Sequence, residues 1–133
     1  MWRTEVARTV GFNEQFHGYA HGEDLEFSLR MGVRGKVVVA GQARVLHLRA
    51  DDGRPDSYQT GYFSLRNLYY IHCTCLANRK RRDAVYFWYA FGLDTLLRLA
   101  ALVRPRRVRA RWRFLRGRLA FLGRLLGSGA EHV

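Results

Sequence analysis

Three carboxylates crowd the run Gly22-Glu23-Asp24-Leu25-Glu26 of this 133-residue chain, and Arg30 lies four residues beyond Glu26. A loop rich in Gly and His, residues 17–22 with His21 in it, leads into them. An ionised carboxylate held in place is a general base: it takes the proton of a hydroxyl as that oxygen attacks. A helix start keeps a carboxylate ionised, because the first-turn N–H groups are unpaired and the helix dipole is positive there. The same residues also suit a plainer role, with Glu23 and Asp24 capping a helix and Glu26 and Arg30 forming a surface pair one turn apart. His47 ends a short apolar run twenty-three residues after Asp24, where its imidazole could ligate a divalent metal or simply meet a backbone partner. Cys73 and Cys75, two apart in a helical run, point to different faces. They read as small apolar residues of a reducing compartment, not as a disulfide or a zinc knuckle.

Elements of two periodicities must position these groups. Residues 3–9 suit a short helical turn that Gly11 breaks, and residues 23–31 read as a helix with Leu25, Leu29 and Phe27 turned inward. The runs 36–40 and 43–48 read as two short strands, and Asp51-Asp52-Gly53 with Pro55 is turn chemistry. Ser57 suits an N-cap for a helix with Tyr58, Tyr62, Leu65, Leu68 or Tyr69, and His72 on one face. An apolar stretch follows over 84–103, then a break at Pro105, then a last helix over about 106–126. Two short strands are marginal in water by themselves. The expectation is therefore an α/β fold in which residues 1–56 belong to a larger domain and residues 57–133 form a helical carboxyl-terminal region.

In order and spacing, Gly11-Phe12-Asn13-Glu14, Phe16, Gly22-Glu23-Asp24, Glu26, Arg30, Gly35 and His47 resemble the acceptor-side, carboxyl-terminal part of the family 2 glycosyltransferases. Arg66-Asn67 in a Tyr-rich helix fits the same pattern. The resemblance implies part of a GT-A-type (nucleotide-diphospho-sugar transferase-like) domain carrying two short strands, followed by amphipathic helices. It implies an inverting transfer from a nucleotide-sugar donor to a glycan or lipid-linked acceptor, with Asp24 as general base and Glu23 supporting it or contacting the acceptor. It further implies acceptor or structural support from Glu26, Arg30 and His21. His47 would contact the metal or diphosphate, where a divalent Mn or Mg neutralises the leaving group. Asn13 stands where that pattern has an acid, and Gly41 where a Pro is often seen. No Asp-x-Asp occurs, Asp51-Asp52 falls after His47, and no Gly-rich phosphate loop follows a strand. The chain is thus expected to be a fragment without the nucleotide-binding half, unable to hold the metal with a full ligand set and inactive alone.

Charge divides the chain differently. Residues 1–78 hold nine Lys and Arg against eight acids, whereas residues 79–124 hold fourteen against two. On the last helix Val108, Trp112, Leu115, Leu119, Leu122 and Leu126 recur at spacings of four and three, with Arg107, Arg109, Arg111, Arg116 and Arg118 flanking them. An Arg-lined apolar stripe carrying a Trp suits a helix lying in the headgroup plane of an anionic membrane. Residues 84–103 are long enough to span a bilayer, but Asp94 and Arg98 near their middle are costly in hydrocarbon, and basic residues flank both ends. A peripheral helix on the cytoplasmic face is the expectation, with a transmembrane helix over 84–103 as the alternative. A non-enzymatic, basic membrane-surface module is the competing function. Nucleic acid is not expected as a partner: the apolar content is too regular for a charge-lined groove, and no helix-turn-helix, zinc-finger or RNA-binding signature occurs. The amino-terminal residues 1–5 contain no apolar core of a signal peptide, so none is expected.

Overall fold

The computed structural model describes residues 4–16, 20–36, 38, 41–44, 46, 56–76, 81–103 and 107–127. Five α-helices appear among them: α1 (Thr4–Val10), α2 (Glu23–Gly32), α3 (Ser57–Cys75), α4 (Arg81–Ala100), which a 3₁₀ turn (Ala101–Val103) extends, and α5 (Val108–Gly127). The expected α/β architecture, a partial GT-A domain with two short strands, is overturned, since no described residue lies in a strand. Lys36 and Val38 of the first expected strand, and Ala43, Arg44 and Leu46 of the second, are irregular. The other residues of both runs lie outside the described residues. The physical reason is visible at Val38 and Leu46, which are 82% and 84% exposed. A β-branched run becomes a strand when a neighbour pairs its backbone and a layer covers its face, and among the described residues neither is present.

The helices are organised by a close crossing of α3 and α5. A Cβ added at Gly61 would fall 2.0 Å from the Phe114 carbonyl oxygen, and one at Gly117 2.1 Å from the Tyr58 carbonyl oxygen. Two glycines therefore let the helix backbones touch, each opposite the other helix. Leu65 and Leu115 are buried at this crossing, and Phe121 packs edge-on against Tyr62 with ring centroids 5.7 Å apart. The start of α3 is capped by Asp56, one residue before the expected Ser57; its carboxylate accepts from the Gln59 N–H at 2.9 Å. The second oxygen of Asp56 takes Arg113 of α5 at 2.8 Å, so one carboxylate serves both the cap and the crossing.

Seating α5 through Gly117 sets its rotation. Leu115, Gly117, Arg118 and Phe121 face inward, while Trp112, Leu119 and Leu126 of the sequence stripe are 49%, 56% and 82% exposed. Of that stripe Leu115 alone is buried, so the apolar stripe looks outward and an arginine takes its place inside. Helix α4 has no buried residue. It lies on the pair through His72 stacked on Phe87 at 4.5 Å and through Arg118, whose guanidinium lies 4.8 Å from the Phe91 ring centre. Helix α2 turns inward Glu26, Phe27 and Met31 in place of the expected Leu25 and Leu29, because Phe27 stacks on Phe12 at 4.6 Å.

Replacing either crossing glycine should be costly, although alanine is the better helix former. Gly61→Ala or Gly117→Ala should lose about 1–3 kcal/mol, as overpacked cores do. Gly123→Ala, whose added methyl meets nothing within 4 Å, should gain about 0.5–1 kcal/mol. Urea unfolding followed by far-ultraviolet circular dichroism separates the two outcomes.

Candidate functional site

The three acids of the amino-terminal motif part company in the structure. Glu26 is 2% exposed and is held from two sides. The Asn13 side-chain amide donates to its Oε1 at 3.1 Å, and Arg30 Nη2 donates to its Oε2 at 2.9 Å. Arg30 also donates to the Val10 and Gly11 carbonyls at 2.7 and 2.8 Å, so it closes the end of α1 onto α2. Asn13 donates in turn to the Tyr70 hydroxyl at 2.9 Å, tying the assembly to α3. Glu26 and Arg30 thus form a clamp with a buried carboxylate and a partly exposed guanidinium, in place of the surface pair that the spacing alone allows. The departure at position 13 has a function within it: an amide donates to Glu26 where a second carboxylate would repel it.

Asp24, two residues earlier, is exposed. Its Oδ1 accepts from the Leu25 N–H at 2.9 Å, leaving the other carboxylate oxygen facing outward from the first turn of α2. Glu23 beside it is half-buried. The turn that launches this helix needs Gly22, whose φ of 90° is left-handed and whose added Cβ would meet Ile71 Cδ1 at 3.2 Å. Asn67 of α3, 1% exposed, donates to the His21 carbonyl at 3.0 Å and fixes the same turn from below. Arg66 donates to the Gln15 carbonyl at 3.3 Å. The structure therefore brings Glu23, Asp24, Glu26, Arg30 and His21 into one neighbourhood around α2. His47 and the Asp51-Asp52 pair lie outside the described residues. Among the described residues no group of three or more His, Cys, Asp or Glu side chains could hold a metal.

A second polar centre lies where α3, α4 and α5 meet; the sequence singles out its Asp94 and Arg98 but not Arg118 as their buried partner. Arg118 is 5% exposed; it donates to Asp94 Oδ2 and, at 3.3 Å, to Thr95 Oγ1. Arg98 donates to the same Asp94 oxygen at 2.9 Å and lies 4.3 Å from the Phe114 ring centre. Burial opposes the Asp94 charge, but the two guanidinium groups outweigh it and hold its pKa below the ordinary carboxylate value. Burial pulls the Arg118 pKa down, against the hydrogen bond and charge of Asp94. The missed signal is the three-residue spacing of Leu115, Arg118 and Phe121, which puts an arginine on the buried face. A cavity of about 560 Å³ opens beside it, lined by Leu65, Leu68, Phe87, Phe91, Phe114 and Arg118 among others. A cleft of about 600 Å³ lies by the Glu26 clamp, with Asn13, Arg30 and Tyr70 in its wall.

In comparisons with known proteins, no family model, no curated protein and no solved structure matches this chain. The glycosyltransferase resemblance accordingly rests on its own residues. Among the described residues one helical stretch, Arg81–Val103, is by length and composition apolar enough to cross a membrane.

Asp94 gives a pH test with a defined sign. Its folded-state pKa is lowered, so the stability it contributes is present at neutral pH and is lost as pH falls through the carboxylate range, below about pH 4. Thermal unfolding of wild type should drop toward that of Asp94→Asn over that interval. Parallel curves would show that the Arg98–Asp94–Arg118 contact adds no net stability.

Proposed function

We propose that the chain is the acceptor-side part of an inverting glycosyltransferase, resembling family 2, that works at a membrane surface. The observation that carries the reading is the division of labour on α2. Glu26 is consumed by Arg30 and Asn13, while Asp24, one half-turn earlier on the helix, keeps a carboxylate oxygen open to solvent. In this reading Asp24 accepts the proton of an acceptor hydroxyl as that oxygen attacks the anomeric carbon of a nucleotide sugar, and the diphosphate leaves from the opposite face. Glu23 supports the base or bonds the acceptor, and the turn carrying His21 forms part of the acceptor wall. Donor binding falls to residues other than those described: the sequence holds no Asp-x-Asp, and His47 would meet a Mn or Mg ion only with ligands from elsewhere.

The experiment is transfer of label from nucleotide sugars into the glycan and lipid fractions of membranes that express the whole open reading frame containing this chain. Asp24→Asn should cut turnover about 10²–10⁴-fold, the range for losing a general base. Because Asp24 is exposed, that change leaves the fold intact. The 133-residue chain alone, with manganese and the same donors, should turn nothing over. Full turnover by Asp24→Asn, or no transfer by the complete frame, overturns the reading.

A specific observation favours the membrane part. Helix α4 buries no residue and leaves Val85, Tyr86, Trp88, Tyr89, Leu93, Leu96 and Leu97 exposed, far more apolar surface than a small soluble domain leaves to water. On α5, Trp112, Leu119 and Leu126 are exposed beside the exposed Arg109, Arg113 and Arg116. Two such helices suit an anionic bilayer surface, on the cytoplasmic side where a nucleotide-sugar donor is met. With Asp94 held by two arginines, α4 lies in the headgroup plane and does not cross. The chain should float with vesicles containing phosphatidylglycerol, less so at high salt, and the triple change Leu93→Ser, Leu96→Ser, Leu97→Ser should weaken binding more than tenfold, from about 1.5–3 kcal/mol per buried leucine. Failure to float, together with a concentration-dependent dimer, would assign this face to a second copy and overturn the membrane assignment.

A further inference from the structure

Arg118 is the least expected side chain of the interior. It is 5% exposed, Asp94 and Thr95 use its Nη1, and its Nε makes no hydrogen bond among the described residues. A buried, charged donor without a partner is costly, and the cavity it lines offers room for one. That cavity is about 560 Å³, inside the range of about 300–1,000 Å³ typical of small-molecule sites. Its walls are sharply divided. Leu65, Leu68, Phe87, Ala90, Phe91 and Phe114 are apolar, whereas the cationic groups, Arg118 and Arg98, lie with Asp94. Two arginines against one aspartate leave a surplus positive charge in the lining. The hydroxyls present are already spent as donors, Thr60 on the Asp56 carbonyl and Ser64 on the Gly61 carbonyl, which leaves the guanidinium groups of Arg118 and Arg98 as the cationic donors of the lining.

We propose that this cavity binds a single-chain anionic amphiphile, its carboxylate or phosphate oxygen accepting from Arg118 Nε and its alkyl chain lying along Phe87, Phe91 and Leu68. The head completes the hydrogen bonding of the buried guanidinium, and Arg98 adds charge from the half-exposed rim. The tail covers aromatic and leucine surface that the three helices leave uncovered. Helix α4 is one wall of the cavity, and its other side is the exposed apolar face, so a chain drawn from a bilayer has a short path inward. The site shares His21 with the proposed acceptor wall, but Asp24, Glu23 and Arg30 do not line it, so binding here is tested apart from transfer.

Three tail-matched probes test it, each used below its micelle concentration: decanoate, decyl phosphate and decanol. Displacement of a fluorescent fatty acid from the full chain should show both anions binding at least tenfold more tightly than decanol. The tighter of the two anions then tells a fatty acid from a lipid phosphate as the natural source. Leu68→Trp fills the apolar part without touching the charges and should abolish binding while circular dichroism is unchanged. Arg118→Gln paired with Asp94→Asn removes the ion pair as a neutral unit and should level the anions with decanol. Equal binding of decanol and the anions to wild type overturns the proposal. So does undiminished anion binding by folded Leu68→Trp, or no displacement by any probe.

Discussion

The backbone contact between α3 and α5 is the constraint on which the rest of the structure depends. Helices that meet through side chains keep axes about 8–10 Å apart and can rotate to put their most apolar faces together. Here Gly61 lies under the Phe114 carbonyl and Gly117 under the Tyr58 carbonyl, so the helices are locked by where the glycines are and not by where the leucines are. Once Gly117 faces α3, Arg118 must follow it inward, and Trp112 and Leu119 must turn out. The outward apolar stripe and the buried arginine are two consequences of one packing choice.

Bringing a guanidinium inside then dictates the position of α4. An arginine stays charged even where burial opposes it, so the interior must supply acceptors or aromatic faces. Asp94 and Thr95 supply the first, and Phe91 with Phe114 supply the second. Helix α4 is therefore anchored along its inner side by polar and ring contacts, and its leucines are left with no inner layer to cover. The costly intramembrane pair suggested by Asp94 and Arg98 becomes, with Arg118, a triad that holds α4 to the protein. That arrangement favours a helix lying along a surface over one surrounded by lipid.

How much of this was legible depended on the kind of signal. Although α4 starts three residues before the expected apolar stretch, the limits of α1, α2 and α5 and the start of α3 were readable to a residue or two, because signals such as Gly22 and the Asp56–Ser57 pair act locally. The face of α5 was not, since hydrophobic periodicity gives no weight to a glycine and counts an arginine against burial. The two strands were misread for a related reason: Val37 to Val39 has the composition of a strand, but strand formation depends on a neighbouring strand that local pattern cannot report. Around α2 the spacing drew attention to Glu23, Asp24, Glu26 and Arg30, yet spacing could not say which acid would be bound within the protein. That depended on Asn13 and Tyr70, thirteen and forty-four residues from Glu26, and on the Val10 and Gly11 carbonyls.

That division between the acids has a physical logic beyond this one helix. Asp24 and Glu26 lie about half a turn apart on α2, and of the two only Glu26 is held by side-chain partners. The clamp gives Glu26 a guanidinium and an amide, and leaves Asp24 and the neighbouring Glu23 outside it. The same bonds join α1, α2 and α3, so α2 is held in place by residues distant in sequence. A proton acceptor is useful only if it is both fixed and uncompensated. Under the proposed general-base reading, the Arg30–Glu26–Asn13–Tyr70 chain supplies the first condition by holding the helix that carries Asp24.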